Sequence, residues 1–287
     1  MRAGAGRSRQ AGSASSAERA ASTEPVGARA EPAGVRPERF LALAKLTVSL
    51  RVVGVRADGY HLLDAEMLNL DLADTLEVYP GDQGLEVVHE AGSAGEERPV
   101  PADGTNLVAR ALDLLGVTAR VRLTKRVPAG AGLGGGSADA AAVLRWALRA
   151  GFLTGPEALA LAAKLGSDVP FCLAGGGRAK VGGAGEALVE LPFEEIEAKA
   201  YTLLIPPFGV STAAVYRAWD DLGGPSYGTN DLEPAALLVE PRLAEWRDKL
   251  ALATGREPVL AGSGSTWWVE GEYPGEGRVV VRAARPS

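Results

Sequence analysis

Apolar and polar residues alternate over residues 46–53, LTVSLRVV, and the β-branched content there predicts a strand. The segment Ala57-Asp58-Gly59-Tyr60-His61 reads as a turn with two aromatic rings just past it. Residues 64–79 read as two more strands parted by a turn at Ala73-Asp74. Residues 81–103 are rich in Gly, Glu and Pro around one apolar run at 85–88, the pattern of a hairpin. Helical spacing from Asn106 to Leu115 stops at Gly116, and residues 119–125 alternate as a strand. A glycine-rich loop then runs into an Ala-rich helix, with Ser137 placed as N-cap and Gly151 as stop. Thr154 and Glu157 form a capping box for the next helix, which ends at Gly166. GSDVPFCLAGGG leads to short strands up to about residue 192.

A second unit follows from Tyr201: a strand over TLLIPP, a helix over 211–221 and a helix over about 233–254. Strands then flank a second glycine turn, AGSGST, at 261–266. After Trp267-Trp268 the pattern supports one strand, near 278–282, and no final amphipathic helix. The expected class is α+β, with units over 39–194 and 195–287.

Composition narrows the range of functions. The chain has 287 residues, 46% of them hydrophobic, enough for a sizeable core. Its formal charge of −6 offers no basic face for nucleic acid, and no apolar run is long enough to span a membrane. Residues 1–38 are rich in Ala, Gly, Ser, Arg, Pro and Glu and hold no aromatic, which predicts a disordered tail or an upstream start codon. The three Arg and no acid of the first 17 residues resemble a transit peptide only faintly, and no apolar h-region follows. Cys172, the single cysteine, reads as a small buried hydrophobe beside Phe171 and Leu173. His61 and His89 lie far apart with no Cys/His cluster, so no structural zinc is expected. The cysteine usage and the lack of a secretory signal suit a cytoplasmic protein.

The strongest chemical signal is Gly130-Ala131-Gly132-Leu133-Gly134-Gly135-Gly136-Ser137 directly before a helix. Glycines expose backbone N–H groups, and a helix N-terminus adds unpaired N–H groups and a positive dipole end; together they cradle a polyphosphate. The P-loop pattern needs a Lys after the glycines, which Gly136-Ser137 lacks. Gly130, Gly132 and Gly135 match the dinucleotide fingerprint formally, but its acidic strand end would fall at Gly151–Glu157, between two helices.

The run from Pro128 to Ala141, P-x-G-x-G-L-G-G-G-S-A-D-A-A, resembles the phosphate loop of GHMP kinases. Three further segments resemble one branch of that superfamily, the kinases of cytidine-diphosphate-linked methylerythritol. They are Ala44-Lys45-Leu46, the segment Arg56-Ala57-Asp58-Gly59-Tyr60-His61, and Gly166-Ser167-Asp168-Val169-Pro170-Phe171. The resemblance covers about residues 42–270. It implies a two-lobed fold, with a ribosomal-S5-like N-terminal domain and a reduced ferredoxin-like C-terminal domain. It also implies ATP over the glycine loop, Mg²⁺ bridging its phosphates, and a small-molecule acceptor phosphorylated on its 2-hydroxyl. A monomer or weak homodimer is the expected state.

Residue by residue, Asp168 is similar in position to the family's catalytic aspartate and would accept the hydroxyl proton. Lys45, isolated in the apolar run LALAKL, resembles its catalytic lysine and would pair with Asp168 and stabilise oxygen charge. Tyr60 and His61 match the cytidine site, an aromatic face for stacking and an imidazole for the base edge. Tyr216 aligns with the aromatic that closes the other face. Asn106 and Lys125 fall where the family places nucleotide contacts, beside Pro128, Gly130, Gly132, Leu133, Gly134, Gly135, Gly136 and Ser137 of the loop. Gly264, in the second glycine turn, resembles a motif near substrate and phosphates. Thr47 stands where the family usually has Asn, so a hydroxyl replaces an amide. The competing readings are a GHMP kinase of homoserine, mevalonate or a sugar, a dinucleotide oxidoreductase, and a non-catalytic nucleotide sensor.

Overall fold

A computed structural model describes residues 36–286 apart from 94, 95, 97, 175 and 225–227. The tail expected over 1–38 lies outside the described residues except at its end. Two long antiparallel strands, β1 (Glu38–Val55) and β2 (His61–Pro80), form the spine of a six-stranded sheet. On the far edge of β2, β4 (Ala119–Lys125) pairs with its second half and β5 (Arg178–Gly183) with its first. β3 (Gly84–His89) extends the sheet beyond β4, and β6 (Ala187–Glu190) extends it beyond β5.

Two strand expectations are corrected. Residues 64–79 are one strand, and Asp74 is fully buried within it. The polar Ala73-Asp74 pair marks a register shift against Leu43 and Lys45, not a turn. Residues 81–103 form no hairpin: β3 pairs with β4 in parallel, because the apolar run 85–88 finds an open edge across the sheet.

The register shifts have a second effect. Phe40 and Ala42 of β1 pack in the main core, as do Leu50 and Val52, whereas Ala44 and Leu46 pack in a second core on the opposite face. A shift between Leu43 and Lys45 reverses which face each parity meets, and one between Thr47 and Ser49 reverses it back. Bulges re-aim side chains in this way. Lys45 and Thr47 are the residues turned towards the helices.

The helical layer is α1 (Leu107–Leu115), α2 (Gly135–Arg149), α3 (Gly155–Leu165) and α4 (Val169–Ala174). Asn106 caps α1 through its side chain, Gly116 ends it, and Thr154 and Glu157 close the expected capping box. Buried Ala138, Ala140, Ala141, Ala142 and Ala147 let α2 lie close on β1 and α1. α2 begins earlier than expected. Gly134, at φ 67°, takes the cap and Ser137 falls within the first turn. A Cβ on Gly135 would stand 2.9 Å from Val127, so only glycine lets the helix start that close to β4. α4 was read as loop; Pro170 suits a first helical turn, where its missing N–H costs nothing.

The rest of the chain supplies β7 (Ala200–Leu204), α5 (Thr212–Asp221), α6 (Glu233–Val239) and α7 (Leu243–Thr254), then β8 (Val259–Leu260), β9 (Trp267–Glu270) and β10 (Arg278–Arg282). The single helix expected over 233–254 is broken, because Pro241 offers no N–H to continue it and Glu240 pairs with Arg242 at the break. A four-stranded antiparallel sheet, in the order β10-β7-β9-β8, packs Tyr201, Leu203, Trp268 and Val281 in the second core with Ala44, Leu46 and Leu68. Among the described residues no helix follows α7.

Candidate active site

A cavity of about 290 Å³ lies where β1, the glycine loop, the start of α4, α5 and the 261–266 turn converge. Its floor is Lys45 and Thr47. The Lys45 ammonium donates to the Thr47 hydroxyl at 2.9 Å and stands 3.4 Å from the Asp168 carboxylate. Lys45 is 4% exposed, while the Asp168 side chain keeps 27% exposure towards the cavity. A buried cation therefore sits beneath a reachable carboxylate.

One wall is backbone. Pro128, Gly130, Gly132, Gly134, Gly135, Gly136 and Ser137 line it, as the sequence pattern suggested. The first N–H groups of α2 have no partners within the helix, so this wall offers donors to an anion. Two glycines are required by close approach. A Cβ on Gly134 would lie 2.7 Å from the Lys45 stem, and one on Gly132 would overlap the Ala261 carbonyl; both residues have positive φ. Leu133 does not face the cavity but anchors the loop in the second core, and its carbonyl accepts from the Lys45 backbone N–H at 2.9 Å.

Beneath this wall is an ion cluster that the sequence did not announce. The Lys125 ammonium pairs with Asp74 and with Asp139, the latter at 2.7 Å. Asp74 also accepts from the backbone N–H groups of Arg126 and Val127, at 2.6 and 2.8 Å. Burial works against the Lys125 charge, but Asp139 and Asp74 outweigh it and raise its pKa. Burial pushes the Asp139 carboxyl up to about 7, against the pull of Lys125. Lys125 thus lies behind the loop and not in the cavity. Asn106 is likewise occupied, capping α1 and donating to the Pro101 carbonyl. A second unannounced support is Arg98, which donates to the carbonyls of Ala129 at 2.7 Å, Phe208 at 2.6 Å and Pro206.

The opposite side is made of side chains. Tyr216 lines the cavity, and burial raises its pKa. The His61 ring lies 4.6 Å from it at a tilt of 36°, is met edge-on by Trp219, and shares a 2.8 Å hydrogen bond with Asp220. Tyr60 stands apart: its ring is 45% exposed, lies under the Arg56 guanidinium, and lines a separate groove with Pro170 and Glu186. Gly264 sits behind the cavity at φ 94°, while Gly262 and Ser263 of the same turn line it. Cys172 is buried as expected, its thiol pushed up to about 12 by burial. The dinucleotide reading lacks its topology, since α2 runs on to α3 and not to a parallel strand.

A glycine loop opening a buried helix, with a carboxylate and a cation across the cavity from it, is the arrangement of a small-molecule kinase of the GHMP class. Residues 106–176 match the family model of the GHMP kinases N terminal domain. The chain is 40% identical over 257 residues to 4-diphosphocytidyl-2-C-methyl-D-erythritol kinase of Pelotomaculum thermopropionicum, covering 79% of this chain and 86% of that one. It is 37% identical to the enzyme of the same name from Paramagnetospirillum magneticum, covering 85% and 92%. A crystal structure of 4-(cytidine 5'-diphospho)-2C-methyl-D-erythritol kinase superposes with a TM-score of 0.62 at 34% identity, covering 80% of this chain and 89% of that one. The chain belongs to the 4-diphosphocytidyl-2-C-methyl-D-erythritol kinase family.

Proposed function

We propose that the protein transfers the γ-phosphoryl group of ATP to the 2-hydroxyl of 4-diphosphocytidyl-2-C-methyl-D-erythritol, in the non-mevalonate route to isoprenoids. The observation that carries this reading is the Lys45–Asp168 pair, 3.4 Å apart, facing the glycine wall across one cavity. Phosphoryl transfer needs a hydroxyl aligned with the γ-phosphate, a group to take its proton, and stabilisation of the charge spreading over the phosphoryl oxygens. Asp168 takes the proton. Lys45, held in place by Thr47 and by the bulge in β1, supplies positive charge beside it. Gly130–Ser137 and the start of α2 hold the phosphates.

Mg²⁺ fits this site as a partner of the nucleotide. Among the described residues no cluster of three acidic, His or Cys side chains could cage an ion alone. Asp168 and Ser137 do place a carboxylate and a hydroxyl on the cavity that the phosphates would enter. Bound there, the ion would offset phosphate charge.

The acceptor's cytidine end would lie towards Tyr216 and His61, with Tyr60 at the outer edge, where the aromatic faces and an imidazole are grouped. Residues 39–194 would hold both reactants, and 195–287 would complete the acceptor side. A cytoplasmic monomer or weak dimer suits such an enzyme. The test is ADP release by purified protein with ATP and Mg²⁺, with and without the cytidine acceptor. Release that depends on the acceptor is expected; release with homoserine or mevalonate instead would redirect the reading. Asp168→Asn should lower turnover by about 10²–10⁴-fold with cytidine-ligand affinity nearly unchanged. Wild-type turnover in that variant would remove Asp168 from the chemistry.

A further inference from the structure

The second glycine turn forms the cavity wall opposite the phosphate loop, and something must fix its distance from Lys45. A Cβ on Gly262 would stand 3.4 Å from the Lys45 ammonium and 3.6 Å from the Thr47 hydroxyl, so the turn lies directly over the floor of the site. On the loop side it is held by one bond, from the Thr266 N–H to the Ala131 carbonyl at 3.1 Å. On the far side it is held by Asn230. This residue is 2% exposed, and its amide nitrogen donates to the carbonyls of Leu260 at 2.9 Å and Gly262 at 2.6 Å. Its amide oxygen accepts from the Leu232 N–H at 2.9 Å. Both donors and the acceptor are engaged, and the reverse orientation of the amide would set oxygen against two carbonyls.

The segment that carries Asn230 is itself fastened to β1. The Leu50 N–H donates to the Thr229 carbonyl and the Asp231 N–H donates to the Leu50 carbonyl, each at 3.0 Å. Asp231 accepts from the Val52 N–H at 3.0 Å and from Arg51 at 2.8 Å. A continuous path therefore runs from β1, which bears Lys45 and Thr47, through Asn230 to the turn above them. We infer that Asn230 is a positioning residue for phosphoryl transfer, setting the Gly262–Ser263 wall against Lys45 and so the place where the acceptor hydroxyl meets Asp168. The inference rests on the reading of the cavity as the kinase site.

Asn230→Asp separates this role from a merely structural one. It keeps the shape and the acceptor for Leu232 but turns an oxygen towards the two carbonyls. When protonated, that oxygen again donates one hydrogen bond. Turnover, KM for ATP and thermal stability would be measured for wild type and variant between pH 6 and 8. At pH 8 the folded variant should lose about 30-fold in kcat, the scale of one buried carbonyl left unpaired, with KM for ATP changed less than about threefold. The ratio of variant to wild-type kcat should rise by about fivefold or more as pH falls to 6. Unchanged kcat in the folded variant would overturn the inference, as would a loss that tracks thermal stability and shows no recovery at low pH. If the Asp variant does not fold, Asn230→Ser decides. Its hydroxyl can donate to one carbonyl, so a kcat about tenfold below wild type supports the role and full kcat overturns it. Wild-type protein that releases no ADP with the cytidine acceptor would instead overturn the reading of the site beneath it.

Discussion

The two sides of the cavity are built on opposite principles. The phosphate side is backbone: glycines pressed against β1 and the second turn, over a buried cluster of Lys125, Asp74 and Asp139. The acceptor side is side chains: Tyr216, His61 and Trp219, with Asp220 half-exposed at its edge. Backbone donors recognise phosphate whatever is attached to it, and they work only if the backbone cannot move. That explains why charge is buried beneath the loop despite its desolvation cost. Rings and an imidazole recognise one base and can adjust, so they need no such foundation.

If that contrast is right, the two sides should respond differently to loss of a charged partner. The largest effect belongs to Lys125→Met. It leaves two buried carboxylates without their cation, and unfolding free energy should fall by about 3–5 kcal/mol in urea denaturation. ATP binding should weaken with it although Lys125 does not line the cavity. A variant of wild-type stability would mean that the cluster does not support the loop.

A smaller effect concerns pH. Asp139 has its folded pKa raised from 3.8 to about 7, so the native state holds this proton more tightly than the unfolded chain. The associated stability is fully present below about pH 4 and is lost as pH rises through about 7. Asp139→Asn removes that dependence. The stability of wild type relative to the variant should therefore decline between those limits, as read by denaturation at several pH values. A constant difference would place the charge elsewhere in the cluster.

The smallest effect is expected on the acceptor side. Asp220→Asn removes the exposed partner of His61 and should change stability by less than about 1 kcal/mol. KM for the cytidine acceptor should rise a few-fold while KM for ATP stays constant. An equal rise in both would show that the two sides are not independent.

Local pattern carried much of this molecule. The caps at Asn106 and Thr154, the stop at Gly116 and the strand over 119–125 depend on neighbours in sequence, and each stands where the pattern put it. The glycine loop was legible for the same reason, since its N–H groups and the helix that follows are contiguous. Lys45 stood out as one cation in an apolar run, a conflict between local and global preference that often marks a site.

What local pattern could not reach depends on partners far away in the chain. β3 became a parallel edge strand because β4 offered a free edge, and residues 64–79 stayed one strand because β1 runs alongside. Lys125 could not be told from a nucleotide contact until Asp74, 51 positions away, was seen to hold it. Asn230 gave no sign at all, for its partners Leu260 and Gly262 are backbone carbonyls that any sequence would supply. The sequence by itself determined the family, the phosphate loop and the identity of the residues facing each other across the cavity. Only the tertiary structure decided which of them face the cavity and which lie beneath it, because that follows from strand register and burial, which bring together groups that spacing along the chain does not relate.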